Sequence, residues 1–185
     1  MIDIYLRNQP PPVEKFDHIS FISFLAEWIR PEHYLELGVR HGDNFKNISS
    51  KSKKSTGVDL MPVEFEIPKN ANMYLGSTDD FFNSLDTNES FDLIFIDADH
   101  SHYQSLKDFK NAQKFLIEDG FIILHDTYPL NEEYLDSNYC NDVYKTAHFI
   151  KKYLSDDFEV ITLPFHPGLT LVKKIKKYKQ LIWKY

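Results

Sequence analysis

The stretch from Tyr34 to Phe45 constrains the fold more than any other part of the chain. It reads as a short buried strand, a break at Gly38, a four-residue turn and a new helix, with the pattern Glu-x-Gly-x-x-x-Gly across the junction. A glycine at the strand end lets another group approach the backbone closely, and Gly42 lets the turn adopt positive φ. We expect Asp43 or Asn44 to cap the helix. The helix N-terminus would then face a bound group at the first crossover of a parallel sheet.

The second predicted strand, 54–60, strengthens this interpretation. It places Asp59 about 20 residues after Gly38, where an acidic side chain accepts both ribose hydroxyls of an adenosine. The glycine pattern lacks the third glycine of the dinucleotide fingerprint, so alone it is equally typical of an ordinary tight turn. The two signals together predict an adenosine-containing ligand.

Size and composition predict one globular domain of ordinary character. Among the 185 residues, 42% are hydrophobic and 26% are charged, and no apolar run approaches the ~18 residues of a membrane helix. The first residues show neither a basic segment nor a long apolar stretch, so we expect no secretory signal. The single cysteine, Cys140, rules out an internal disulfide. A single cysteine also suits a reducing cytoplasm, so we expect a cytoplasmic protein without a membrane span. The net charge of −7 argues against a nucleic-acid partner.

The two ends of the chain differ from this domain. Residues 1–16 include three consecutive prolines and predict an extended lead-in, whereas 174–185 form a lysine-rich, basic tail. The tail is open to two interpretations, a solvated extension or a docking segment for an anionic surface or a partner subunit. The sequence also leaves open whether the protein forms a homo-oligomer. We expect a single domain over 17–173.

Apolar periodicity predicts helices that alternate with strands. A helix over about 18–30, capped by Asp17, precedes the first strand. The clearest strand is 91–97, which is almost continuously apolar, as expected where both faces are covered. We predict an α/β, doubly wound, Rossmann-like sheet of seven mostly parallel strands, with an antiparallel last strand and helices on both faces. The other predicted strands are 33–38, 54–60, 71–75, 121–124, 158–163 and 169–173; the other helices are 43–50, one ending near 85, 102–116 and 142–154; a turn is expected at 118–120.

Polar side chains collect where the apolar strands end. The carboxyl ends of parallel strands form the ligand-binding edge of such a sheet, near the switch point. Any one of these residues could simply cap the next helix, but the whole set predicts a binding site. The residues are Glu36, Asp59, Ser77, Asp97, His125 and Asp126.

The strand ends that carry these residues, taken in their order along the chain, resemble those of the class I S-adenosylmethionine-dependent methyltransferases. Residues 91–100 (Phe-Asp-Leu-Ile-Phe-Ile-Asp-Ala-Asp-His) and 120–127 (Gly-Phe-Ile-Ile-Leu-His-Asp-Thr) look closest to small bacterial, metal-dependent O-methyltransferases of the macrocin and catechol type. The resemblance covers about residues 30–173. It implies S-adenosyl-L-methionine as cofactor and methyl transfer to a hydroxyl of a small molecule, with a sugar or polyhydroxylated metabolite suggested by analogy.

The resemblance also implies roles for individual residues. Glu36 and the backbone from Gly38 to Gly42 would hold the methionine part of the cofactor. Asp59 would hold the ribose, and Ser77 with its neighbours the adenine. Asp97 is assigned to both the cofactor-binding and the catalytic set.

A metal site is a further hypothesis. Asp97 ends the fourth predicted strand, and His125 and Asp126 end the fifth; neighbouring strands lie about 4.8 Å apart. These three side chains could share a hard cation such as Mg²⁺ or Mn²⁺. Metal-dependent relatives usually carry an acid or amide beside the second aspartate, where this chain has His125 and Thr127. The alternative is that His125 and Asp126 only donate and accept hydrogen bonds around the site.

His100, three residues after Asp97, is the predicted general base. An imidazole is suited to take a proton from a hydroxyl as the methyl group is transferred, and a histidine at this spacing looks like the base of macrocin-type relatives. His102 is the local competitor, and a loop histidine that only caps the next helix is the alternative. The loop 127–139 is either a substrate lid or a plain surface connection.

Two other functions remain open at this point. Cephalosporin-hydroxylase-like oxygenases share this motif set, and Fe²⁺ at His125 and Asp126 would indicate oxidation. A non-catalytic, cofactor-binding partner subunit is the other alternative, although the acids at 97 and 126 are both retained. N-methylation is disfavoured, because no Asp/Asn-Pro-Pro-Tyr/Phe segment follows the fourth strand.

Overall fold

The computed structural model describes residues 17–164 and 167–175, and its helices and strands alternate as predicted. The expected lead-in and residues 176–185 of the tail lie outside these residues, so the division into one domain and two ends stays a prediction. The helices are α1 (His18–Ile29), α2 (Asp43–Ser49), α3 (Thr78–Ser84), α4 (His102–Phe115) and α5 (Tyr144–Tyr153), with a short 3-10 helix at Glu132–Leu135. The strands are β1 (His33–Leu37), β2 (Lys54–Asp59), β3 (Ala71–Leu75), β4 (Phe91–Ile96), β5 (Leu116–His125), β6 (Phe158–Leu163) and β7 (Leu169–Lys174).

The strands form one seven-stranded sheet in the order β3-β2-β1-β4-β5-β7-β6. The pairs from β3 to β5 are parallel, and β7 is antiparallel to both β5 and β6. The predicted, mostly parallel sheet with an antiparallel last strand is therefore confirmed. The strand order reverses between β1 and β4, where Leu37 pairs with Ile96. This switch point is where a sheet of this kind binds its ligand.

Alternate side chains of each central strand point to opposite faces, and both faces are covered. Tyr34 of β1 packs in a buried cluster with side chains of α1 and α2, such as Ile22 and Phe45. Leu35, its neighbour in β1, packs in a second cluster with α3, α4 and α5, for example with Phe109. Each fully buried large apolar side chain contributes roughly 1.5–3 kcal/mol to folding. The prediction of helices on both faces is confirmed.

Two local predictions were wrong. Gly42, rather than Asp43 or Asn44, is the N-cap of α2; it has φ 76 and provides no side-chain cap, while Asn44 turns inward. The turn expected at 118–120 is instead an irregular part of β5, where Phe91 pairs with Leu116 but Leu93 pairs with Phe121. The additional residues bulge out of the sheet without ending the strand.

We predict that Gly38→Ala destabilises the fold strongly. Gly38 has φ 85, and a Cβ atom there would lie 2.2 Å from the carbonyl oxygen of Asp97. Positive φ alone costs a non-glycine residue about 1–3 kcal/mol, and the backbone of Asp97 must also shift. We expect a loss of at least about 2 kcal/mol in the free energy of unfolding, measured by urea denaturation.

Gly57→Ala is the matched control. A Cβ atom at Gly57 would lie 2.5 Å from the sulfur of the flexible Met73 side chain and 2.8 Å from Cγ2 of Val39, both side-chain atoms, and the backbone of Gly57 lies in β2 without positive φ. We expect Gly57→Ala to lose clearly less stability than Gly38→Ala, whose clash is with backbone. A loss for Gly38→Ala no larger than that for Gly57→Ala would contradict a special requirement for glycine at position 38.

Candidate active site

A cavity of about 640 Å³ opens at the carboxyl ends of β1, β4 and β5. A second cavity, of about 290 Å³, adjoins it along Gly38, Asp59 and Ala98 and reaches the end of β3. All nine residues that the sequence predicted line one cavity or both. The larger cavity is lined by Glu36, Gly38, Gly42, Asp59, Asp97, His100, His125 and Asp126, and the smaller one also by Ser77.

Glu36 is buried and hydrogen-bonded inside the larger cavity. Its Oε2 accepts hydrogen bonds from the Tyr34 hydroxyl at 2.5 Å and from Nδ2 of Asn44 at 3.0 Å. Burial raises the pKa of Glu36 to about 8, although these two hydrogen bonds oppose the shift. The side chain is therefore mainly a neutral acid at pH 7.

Sequence reasoning missed both partners of Glu36. Tyr34 lies two residues earlier on the same strand. Since side chains alternate between the two faces of a strand, the sequence could have indicated that Tyr34 and Glu36 share a face. Asn44 comes from the first turn of α2, and the sequence interpretation had used it as a cap. Its inward orientation depends on how α2 packs on the sheet.

Asp59 holds the turn that follows β1. Its Oδ2 accepts hydrogen bonds from the backbone N–H groups of Val39 at 2.9 Å and Arg40 at 2.8 Å, and its Oδ1 accepts one from Met61 at 2.9 Å. A carboxylate oxygen accepts about two hydrogen bonds, so Oδ2 is fully used and Oδ1 can accept one more. This arrangement leaves capacity for one ribose hydroxyl, where the sequence analysis expected two.

Ser77 caps α3. Its hydroxyl accepts a hydrogen bond from the backbone N–H of Asp80 at 3.0 Å and donates to the carboxylate of the same residue at 2.7 Å. The capping interpretation, which was left open for any single residue, applies to this one. Ser77 still lines the smaller cavity, but its hydroxyl hydrogen and one of its two lone pairs are used within the protein.

Two aspartates and two histidines meet at the ends of β4 and β5. Nε2 of His100 lies 3.2 Å from Oδ2 of Asp126 and 3.8 Å from Oδ1 of Asp97. Nδ1 of His125 lies 3.1 Å from the same Asp97 oxygen. Nδ1 of His100 contacts the carbonyl oxygen of Tyr139, which can only accept, so this nitrogen carries the proton. Nε2 of His100 faces the carboxylates of Asp97 and Asp126, so these groups need a proton or a cation between them.

This arrangement changes the predicted metal set. Among the residues that the structure describes, the group that could hold a metal ion is Asp97, His100 and Asp126, with one ligand atom of each within 4.8 Å of the others. Three electron-pair donors that converge in this way need a proton or a cation between them. A ligand set of two carboxylates and one imidazole suits Mg²⁺ or Mn²⁺. Nδ1 of His125, the predicted ligand, lies 3.1 Å from Oδ1 of Asp97 and 3.4 Å from Oδ1 of Asp126, and its buried Nε2 has no hydrogen-bond partner among the residues that the structure describes.

A third histidine enters the cavity from α1. The ring of His18 lies 4.3 Å from that of His125, centroid to centroid. Burial lowers the pKa of His18, and the neighbouring His125 lowers it further. Burial also opposes a charge on His125, but the carboxylates of Asp97 and Asp126 outweigh burial and raise its pKa. No local signal could have indicated His18, because the packing of α1 brings it here.

The end of β5 is conformationally unusual. Asp126 has φ 59, in the left-handed region that few non-glycine residues other than Asn and Asp tolerate. Non-glycine residues in this region cluster at functional sites. The conformation accompanies a buried carboxylate, 5% exposed, on the cavity wall.

The loop between β5 and α5 lies over this cluster. Tyr134 and Tyr139 contact each other edge to face, with ring centroids 5.5 Å apart, and both line the larger cavity with Asn138. The Tyr139 carbonyl also binds His100. The loop is thus part of the cavity wall, and its movement as a lid stays a prediction.

Comparison with known proteins identifies the family. The family model described as a methyltransferase domain matches residues 35–127, just over half of the chain. The chain belongs to the class I S-adenosylmethionine-dependent methyltransferases. The match begins in β1 and ends beside Asp126, so it spans the five strand ends that line the two cavities. A search of curated proteins found no match.

Solved structures share the fold of this methyltransferase at low sequence identity. Cofactor-bound Rv0187 from MTB is 16% identical with a TM-score of 0.70, and the alignment covers 89% of this chain and 83% of that one. SAH-bound PaMTH1 from Podospora anserina is 17% identical with a TM-score of 0.68, over 85% and 77% of the two chains. The O-methyltransferase from Bacillus cereus in complex with SAH is 16% identical with a TM-score of 0.65, over 89% and 84% of the two chains.

Within the described part of this chain, no helix is long and apolar enough to cross a membrane.

We predict that Glu36 makes the stability of the methyltransferase depend on pH. Its pKa is about 8 in the folded protein and near 4.5 in the unfolded chain. Between these values the folded state keeps a proton that the unfolded state has lost, so stability falls as the pH rises through this window. Glu36→Gln cannot titrate, so its stability relative to the wild type should increase by about 2 kcal/mol between about pH 5.5 and about pH 7.5.

Urea denaturation at the two pH values, without added ligand, measures this difference. Glu159→Gln, at an exposed position of β6, is the control and should show the same pH dependence as the wild type. A constant difference between Glu36→Gln and the wild type would contradict a neutral, buried Glu36.

Proposed function

We propose that the protein is an S-adenosylmethionine-dependent O-methyltransferase that acts on a hydroxyl group of a small molecule, with sugars and polyhydroxylated metabolites as the first acceptors to test. One observation carries the proposal. The cluster of Asp97, His100 and Asp126 lies on the wall of the same cavity as Glu36 and the Gly38 turn. A group suited to take a proton from a hydroxyl therefore lies beside the residues assigned to the methionine part of the cofactor.

The strand order supports the placement of the cofactor. S-Adenosylmethionine supplies an electrophilic methyl group on sulfur. The smaller cavity at the end of β3 would hold the adenine, Asp59 at the end of β2 one ribose hydroxyl, and Glu36 with the turn after β1 the methionine part. These strands are consecutive in the sheet, and the Asp97 and His100 side of the cavity comes next, at β4.

The roles of the chain's own groups follow from their contacts. His100 takes the acceptor's proton on Nε2, because Nδ1–H donates to the Tyr139 carbonyl and fixes the tautomer. The carboxylate of Asp126, 3.2 Å from Nε2, stabilises the imidazolium that forms. The walls of the cavity, which include Tyr134 and Tyr139, align the hydroxyl, and this alignment can supply much of the rate.

The same three residues would hold a divalent cation. The chemistry that such an ion supplies is stabilisation of a hydroxyl as its alkoxide. Nε2 of His100 has a single lone pair and cannot bind a metal ion and accept a proton at the same time. Metal-assisted transfer therefore makes His100 a ligand with Asp97 and Asp126, and metal-free transfer makes it the base.

The first test is a calorimetric titration of the metal-stripped protein with S-adenosylhomocysteine, repeated with Mg²⁺ and with Mn²⁺. We expect binding in the micromolar range, reduced about tenfold or more by Asp59→Ala, which removes a charged acceptor and releases the turn after β1. The exposed control Glu159→Gln should bind like the wild type. A wild-type protein that fails to bind under all three conditions would remove the methyltransferase proposal and favour a degenerate partner subunit that has lost cofactor binding.

The second test concerns His100. With labelled S-adenosylmethionine and a panel of catechols and sugars as acceptors, His100→Gln should lower kcat by about 100-fold or more and change S-adenosylhomocysteine affinity less than about twofold. His148→Gln, at an exposed position of α5, is the matched control and should have wild-type activity.

Chelation separates the two mechanisms. Activity that persists in EDTA indicates His100 as the base, whereas activity lost in EDTA and restored by Mn²⁺ indicates a metal ligand. Full activity of His100→Gln, with and without EDTA, would contradict both roles.

A further inference from the structure

A buried carboxylate lies behind the smaller cavity. Asp108 of α4 is 0% exposed, and its Oδ1 accepts hydrogen bonds from the Thr78 hydroxyl at 2.7 Å and from Nε2 of Gln104 at 3.0 Å. Nε2 of Gln104 also donates to the Thr78 oxygen at 3.1 Å. Thr78 and Gln104 line the cavity, whereas Asp108 lies behind them.

This network fixes the orientation of the Gln104 amide. Burial raises the pKa of Asp108 to about 6, although the hydrogen bonds from Thr78 and Gln104 oppose the shift, so at pH 7.5 the side chain is mainly ionised and only accepts. Because the Thr78 hydroxyl donates to Asp108, its oxygen accepts from Gln104. Both acceptors face Nε2, so a rotated amide would place Oε1 against a carboxylate. Oε1 is then the atom of Gln104 with unused hydrogen-bonding capacity.

Two other side chains at this end of the cavity are partly used within the protein. The hydroxyl of Ser77, which the sequence analysis assigned to the adenine, caps α3. Oδ2 of Asp79 is paired with Nζ of Lys107 at 2.5 Å, whereas its buried Oδ1 has no hydrogen-bond partner among the described residues and is the competing acceptor. Gln104 differs in offering an acceptor whose orientation a hydrogen-bond network fixes, in the cavity that we assign to the adenine.

We propose that Gln104 recognises the adenine through its exocyclic amino group, with Oε1 as the acceptor, and that Asp108 is the positioning residue that holds this orientation. The inference rests on the proposed function, because it needs the adenosine part of the cofactor in the smaller cavity. Gln104 would be a specificity residue, and Asp108 a buried residue that acts through it, in addition to the polar residues at the strand ends.

The chemistry of the purine ring makes this role measurable. Adenine carries an amino donor at C6, whereas hypoxanthine carries a carbonyl acceptor there. Opposite Oε1 of Gln104, hypoxanthine would bring two acceptors together without a hydrogen bond. The loss of one hydrogen bond in a partly buried site corresponds to about a tenfold weaker affinity.

The experiment compares S-adenosylhomocysteine with S-inosylhomocysteine in calorimetric titrations at pH 7.5. We expect the wild-type protein to prefer the adenosine compound by about tenfold or more. Gln104→Met keeps the length of the side chain but removes the acceptor, so it should weaken binding of the adenosine compound and bring the ratio of affinities close to one. Glu159→Gln should keep the wild-type ratio.

Asp108→Asn tests the positioning role. An asparagine amide can donate as well as accept, so it permits the Gln104 amide to rotate. We expect the affinity ratio to fall at least about threefold in this variant, while binding of S-inosylhomocysteine stays within about twofold of the wild type. Damage to the fold alone would weaken both compounds equally, and the ratio would not change. If Asp108→Asn does not fold, Thr78→Val, which removes the other acceptor of Nε2, gives the same readout.

The outcomes separate this inference from the proposed function. An unchanged ratio in Gln104→Met would overturn the role of Gln104, and an unchanged ratio in Asp108→Asn would overturn the positioning role. If Asp79→Asn abolishes the preference and Gln104→Met does not, the amino group is bound by Asp79 and the inference is wrong. If the wild-type protein binds neither compound, the cofactor assignment fails, and this inference fails with it.

Discussion

The close approach of β1 and β4 at their carboxyl ends is the constraint on which the rest of the site depends. The backbone N–H of Asp97 donates to the carbonyl of Leu37. The Asp97 carbonyl in turn lies so close to Gly38 that no side chain fits at position 38. This contact holds the turn after β1 against the loop after β4. Glu36 and Asp97 therefore line one cavity, although 61 positions separate them in the sequence.

The site concentrates ionisable groups that burial disfavours. Asp126 and His125 are largely buried at the end of β5, and Glu36 is kept neutral by its surroundings. Unpaired charges cost free energy when they leave water, so such a cluster persists where neighbouring groups pair with it or a bound cation completes it. Asp97 and His125 are paired in this way, and the left-handed conformation of Asp126 is of the kind that costs free energy and clusters at functional sites.

Sequence patterns predicted the strands and the residues at their ends well, because these depend on short-range rules. The apolar run of β4 requires cover on both faces, and a polar residue that follows such a run must lie at the edge of the sheet. The details of contact were less predictable. Asn44 was interpreted as a cap but hydrogen-bonds to Glu36, and the group that could bind a cation includes His100 in place of His125.

By itself, the sequence determined the α/β class, the order of the strands along the chain and the list of polar residues at one edge, since periodicity and chain order follow from local physics. Only the tertiary structure decided which of those residues face one another. His18 reaches the cavity through the packing of α1, and Asp108 reaches Thr78 through the packing of α4 on α3. Such pairings depend on side-chain directions across separate elements, which no local pattern encodes.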